Sequence, residues 1–226
     1  MTLTEHIQPL LDKRLTVALA VVMLTGVSPS SAQDHLRPEG NPYDPAAAGY
    51  YELVGTAMHE AFDDNVRVRV LSDSMFAPQA AFGVKEDHGK YKLFGLVARE
   101  RMRDKPVPVK RCEAAIDAPL ALRVVQVWKS SLLAARYRQP GEETVVNSDG
   151  TEFHFSMRDG GQELAGQAWG LDSKASDVIP NTNTAALIGI VATMFNACLA
   201  YDATLKWLLD QQVSQLQARL DVEKQK

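Results

Sequence analysis

Residues 185–201 read AALIGIVATMFNACLAY, with no charged side chain and apolar residues on every helical face. A helix that is hydrophobic all round has to be enclosed, by protein or by lipid. The run is 17 residues long, short of the about 20 that a bilayer span needs. No cationic flank accompanies it. The segment is therefore read as a central core helix, and the question becomes what else in the chain encloses it.

The clearest period-two signal lies at 66–71, where Val66, Val68 and Val70 alternate with Arg67, Arg69 and Leu71. That is the pattern of a strand with one apolar face. Residues 80–84 and 91–97 flank Glu86-Asp87-His88-Gly89 and read as a hairpin. Residues 107–116 make a fourth strand, with Cys112, Ala114 and Ile116 on one face. Pro106 and Pro108 confine its start to an edge or an irregular lead-in. Upstream, Asp44-Pro45 reads as a helix start, followed by Tyr50, Val54, Ala57, Met58 and Ala61 on one face and ended by Asp63-Asp64-Asn65. A second helix has Asp117 as cap, Pro119 in its first turn and a stripe of Leu120, Val124, Val127, Trp128, Ser131 and Ala135. Gln139-Pro140-Gly141 stops it.

A second hairpin joins 152–157 to 162–169 around Asp159-Gly160-Gly161. After the apolar helix, Asp202 can cap a last one, striped by Leu205, Leu208, Leu209, Val213, Leu216 and Leu220. The order is helix, four strands, helix, two strands, two helices. Hairpin neighbours imply an antiparallel sheet. The prediction is an α+β fold: a single two-layer domain over 46–222, with about six antiparallel strands covered on one face by three to four helices. Residues 223–226 are expected to fray.

The N-terminus predicts export. Lys13 and Arg14 precede the apolar run LTVALAVVMLTGV at 15–27, and small residues Ser30 and Ala32 precede a cut after Ala32. The run is too short for a span, so residues 1–32 are expected to be removed and the mature chain not to insert in a membrane. Glu5 and Asp12 are atypical of such a lead. Residues 33–45, with three prolines, read as a flexible leader. A periplasmic or secreted location favours a disulfide between the only two cysteines, Cys112 and Cys198, closing a loop of 86 residues. Two separate buried thiols are the alternative. The net charge of −4 argues against general binding to nucleic acid or anionic membranes.

His59-Glu60-Ala61-Phe62-Asp63 has the spacing of HExxH with Asp in the second ligand position. On an α-helix His59 and Asp63 would share a face. No third ligand is visible, and an exposed helix end explains the pattern equally well, so no metal or cofactor is assigned. Glu152, His154 and Ser156 share one face of a strand, opposite Phe153, Phe155 and Met157. Residues two apart on a strand are separated by about 7 Å, beyond hydrogen-bond reach. No GxSxG elbow accompanies them, and solvent-facing alternation is the expectation. Gly160, Gly161, Gly166 and Gly170 open no helix; they fit a turn and a strand against which something packs closely.

Two surfaces stand out for binding. Arg99, Arg101, Arg103, Lys105, Lys110 and Arg111 form a basic run, diluted by Glu100 and Asp104, suited to an acidic partner or anionic polymer. Trp169 stands at a strand end beside a polar loop that contains Asp172 and runs to Thr184. The sequence therefore predicts an exported, non-catalytic binding protein of inhibitor, immunity or envelope-associated type. Its expected contact residues are Trp169, Asp172, Arg101 and Arg103, and its expected partner is a protein of the cell envelope. The rival class is a periplasmic hydrolase using His154, Ser156 or His59 with acidic neighbours.

Overall fold

The computed structural model describes residues 36–38, 45–74, 77–136, 150–171, 182–200 and 203–225; the expected signal segment lies outside them. In chain order they form β1 (Arg37–Pro38), α1 (Pro45–Ala57), a 3-10 turn (His59–Phe62), β2 (Val66–Ser74), β3 (Ala80–Asp87), β4 (Lys90–Ala98) and β5 (Val109–Ile116). There follow α2 (Ala118–Leu133), β6 (Gly150–Asp159), β7 (Gln162–Leu171), α3 (Asn183–Ala200) and α4 (Ala203–Glu223). The strands make one seven-stranded sheet in the order β1-β7-β6-β2-β3-β4-β5. Every neighbouring pair is antiparallel. This is the α+β architecture that the alternation and hairpin signals predict, with one strand more.

Two tight turns set the register. His88 and Gly89 have φ of 48° and 75°, and Gly160 and Gly161 have 56° and 86°. A two-residue turn with both central residues left-handed matches the twist of the strands it joins. The first turn fixes Asp87 opposite Lys90, and the second fixes Asp159 opposite Gln162.

The main core lies between one sheet face and the helices. Val68, Val70, Phe82, Val84, Leu93 and Phe155 from the strands meet Trp128 of α2 and Leu187, Ile190 and Met194 of α3. Helix α3 packs on β3, β4 and β5, helix α2 packs on β6 and β7, and α4 rests on both helices. The apolar run thus has sheet on one side and α4 on the other, as a helix without a polar face requires. Among the described residues no helix is long and apolar enough to cross a membrane. Asp117 caps α2 by accepting from the Leu120 N–H at 2.8 Å. Trp128 is fully buried and donates its indole N–H to the Arg69 carbonyl at 3.3 Å.

Helix α2 ends at Leu133, earlier than its sequence stop at Gln139. The physical reason lies in the expected flexible leader, part of which is docked. Leu36 is buried in the main core, and its carbonyl accepts from the Arg136 N–H at 3.0 Å, which draws the chain out of the helix. Arg37 and Pro38 then pair with Gln167 and Gly166 of β7. Gly166 permits this approach, because a Cβ there would lie 3.2 Å from the Leu36 Cβ, the Arg37 carbonyl oxygen and a Leu132 methyl.

The opposite sheet face is also partly covered. Val54, Met58 and Ala61 of the α1 region meet Leu71, Ala81, Phe94 and Leu96 of the sheet, joined by Met102 and Val107 from the β4–β5 connection. The sequence reading of one covered face missed this second, smaller core.

Cys112 of β5 and Cys198 of α3 form a disulfide with their Cα atoms 5.7 Å apart. Gly95 faces Cys112 in register, and a Cβ there would come within 2.7 Å of its sulfur. The bridge ties an edge strand to the central helix. Loss of an 86-residue cross-link, by reduction or by Cys112→Ser with Cys198→Ser, is expected to lower stability by about 2–5 kcal/mol. Chemical denaturation would measure that loss. Thiol titration of the unfolded protein should find none before reduction and two after it, and two without reductant would contradict the bridge.

Candidate functional site

The basic run lies on the connection from β4 to β5, and the fold makes this connection an ordered loop. Met102 and Val107, at 1 % and 8 % exposure, anchor it in the second core. The Arg99 N–H donates to the Pro108 carbonyl at 2.9 Å and closes its base. At its centre stands Gln79, which is completely buried. The Gln79 Oε1 accepts from the Met102 N–H at 2.8 Å, and its Nε2 donates to the Met102 carbonyl at 3.3 Å. One side-chain amide thus satisfies both backbone groups of a single residue, as a neighbouring strand would. The Gln79 Nε2 also lies 3.3 Å from the Asp73 Oδ1. With Met102 pinned inward, Arg99, Arg103 and Lys105 are exposed and Arg101 is half-buried.

The charge continues on the adjoining strands. Register places Lys85 opposite Lys92 and Phe94 opposite Glu113. Glu113 takes hydrogen bonds from Lys85 and, at 3.0 Å, from Lys92. The Arg111 Nε donates to the Glu60 Oε1 at 2.6 Å. Glu60, Lys85, Phe94, Leu96, Arg111, Cys112 and Glu113 line a surface depression of about 290 Å³. The hydrogen bond from Lys85 holds the Glu113 carboxyl below its usual range against the opposing effect of burial, with Lys92 adding to it. Glu113 in turn raises the Lys92 ammonium.

Other sequence candidates fall differently. His154 and Ser156 are buried, at 8 % and 5 % exposure, so the expectation of a solvent-facing polar strand is corrected. The covering element is α1, whose Tyr51 ring meets the His154 ring edge-on at 5.7 Å. Glu152 lies 3.6 Å from the His154 Nε2. Arg69, opposite Ser156, spans the same face, with its guanidinium 4.3 Å above the Phe62 ring and 2.6 Å from the Glu163 carboxylate. His154 and Ser156 thus remain two apart on one strand, within a packed polar layer. Asp63 follows the 3-10 turn in an extended conformation, with ψ 152°. A 3-10 turn has three residues per turn, so His59 and Asp63 lose the shared face that an α-helix would give them. Among the described residues no group of three His, Cys, Asp or Glu side chains is placed to hold a metal ion. Trp169 belongs to β7 and pairs in register with Glu152, while Asp172 and the loop beyond it lie outside the described residues.

The sequence found the cationic run but missed Gln79, which makes it a structured surface. A lone glutamine ahead of an apolar strand has no distinguishing pattern. Lys85, Lys92 and Glu113 were also missed, because only the register of three strands brings them together. Compared with known proteins, no family model, no curated protein and no solved structure matches this chain.

Gln79→Ala leaves the buried backbone groups of Met102 without their partner, and is expected to cost about 1–3 kcal/mol. Limited trypsin digestion should then cut at Arg101 and Arg103 in the variant well before the parent protein, and equal cutting would refute the clasp. For pH, the depressed Glu113 carboxyl contributes stability above its unfolded pKa, and that contribution is lost as pH falls through its folded pKa. Glu113→Gln should therefore be less stable than the parent at neutral pH, with the difference closing in acid, as followed by denaturation midpoints. A difference independent of pH would contradict the assignment.

Proposed function

We propose that this chain is an exported protein that binds an acidic partner through the 99–111 surface and does not act as a catalyst. The observation that carries the proposal is the Gln79–Met102 clasp, which holds a cationic loop in a defined shape. An exposed run of like charges is ordinarily left mobile, since ordering it costs conformational entropy and gathers repelling groups. Here a fully buried amide and two apolar anchors are committed to ordering it.

Charge distribution supports the same reading. Residues 99–111 hold six basic and two acidic side chains, a local +4 in a chain of −4, which leaves −8 on the remainder. Such a separation orients an acidic partner towards one side and repels it from the others. The disulfide is compatible with an oxidising compartment. Together with the N-terminal pattern, it makes a component of the envelope or of the medium the natural partner, as for an inhibitor or immunity-type protein.

The experiment is a titration of the oxidised protein with polyglutamate across ionic strength. Binding should weaken as salt rises, and Arg101→Glu with Arg103→Glu should reduce it by about tenfold or more, the equivalent of losing ~1.4 kcal/mol. Polylysine serves as the control for attraction to the rest of the surface. Binding to polyglutamate that survives the double reversal unchanged, or no binding at low salt, would overturn the proposal.

A further inference from the structure

Strand β5 forms one end of the sheet, and among the described residues no strand pairs with its outer side. It follows directly from the cationic loop. The Pro108 carbonyl accepts from the Arg99 N–H, on the β4 side. Backbone groups of successive strand residues point to alternate sides, so those of Val109, Arg111, Glu113 and Ala115 are directed to the outer edge. One further observation agrees with that assignment: the Val109 carbonyl is met by the guanidinium of Arg111 itself at 3.3 Å.

From this geometry we infer that the acidic partner binds as an extended segment that adds an eighth strand along β5, with its carboxylates read by Lys110, Arg111 and the 99–105 loop. The inference rests on the binding function proposed above and specifies its form. Backbone hydrogen bonding along eight residues, about 26 Å at 3.3 Å per residue, gives affinity without demanding a deep pocket. Charge selects the occupant. The cations stand at the N-terminal end of β5, as Lys110 and Arg111 on the strand and the 99–105 loop beside it, so the glutamates of an incoming acidic strand meet complementary charge there, while Glu113 further along is already paired with Lys85 and Lys92. The disulfide fits this use, because Cys112 in the middle of β5 is tied to α3 and keeps the edge from peeling away when it is loaded.

The probe is a synthetic decapeptide of alternating glutamate and valine, with a control that replaces every second residue by proline and keeps the same number of glutamates. Amide hydrogen exchange is read residue by residue on the oxidised full-length protein. The alternating peptide should slow exchange at Arg111, Glu113 and Ala115 by about tenfold or more and leave Lys110, Cys112 and Ala114 already protected by β4. The proline control should bind more weakly and protect none of the three. Ala115→Pro removes one outward N–H at an edge where proline is tolerated, and should weaken the alternating peptide while leaving polyglutamate attraction at low salt in place. Peptide binding with no protection on β5 overturns strand addition but leaves the binding function standing. No binding of either peptide or of polyglutamate overturns both. Protection of the same three amides without peptide, with a doubled mass in sedimentation, assigns the edge to a second copy and also overturns the inference.

Discussion

Enclosure of α3 is the constraint on which the rest of the structure depends. Leu187, Ile190, Val191, Met194, Ala197 and Cys198 of this helix are all buried, and Leu199 near its C-terminal end is the large side chain left exposed. Each of Leu187, Ile190, Val191 and Met194 gains about 1.5–3 kcal/mol from being withdrawn from water. The sheet supplies the floor and α4 the roof. The Cys112–Cys198 bridge then fastens the last strand of that floor to the helix. It makes β5 an edge strand that is held from the inside and, among the described residues, unpaired on its outer side.

The second core has a different role. Its residues come from α1, the 3-10 turn, the reverse face of four strands and the β4–β5 loop. It is smaller than the first, and much of its effect is positional. Met102 and Val107 pull the loop down, Gln79 fixes Met102 in place, and the charged neighbours are left on the surface as a consequence. On the other half of the same face, α1 covers His154, so that a strand with catalytic-looking residues is a packed polar layer. One helix therefore closes one candidate site while its cluster props up the other.

Much of this fold is legible in the sequence, for local reasons. Alternation at Val66, Val68 and Val70, turn chemistry at His88-Gly89 and Gly160-Gly161, and the Asp117 cap with Pro119 each act over a few residues, and each stands where the pattern puts it. The early end of α2 is not legible, because it is set by Leu36, about one hundred residues away in the chain. The burial of His154 is invisible for the same reason: the polar alternation of β6 is real, and the covering Tyr51 arrives from another element. At the candidate site, composition reveals the charge and conceals the clasp. Arg101 and Arg103 announce themselves in a run of cations, whereas Gln79 acquires meaning only when a backbone 23 residues further on is brought against it.

The central claim is that the cationic surface is a built and ordered part of the molecule. The most direct measurement is native-state hydrogen exchange at the Met102 amide, the donor to Gln79. The account predicts protection comparable to that of the amides in the interior strands, since opening this bond requires Met102 to leave the second core. Exchange of the Met102 amide at the rate of an unstructured peptide would contradict it.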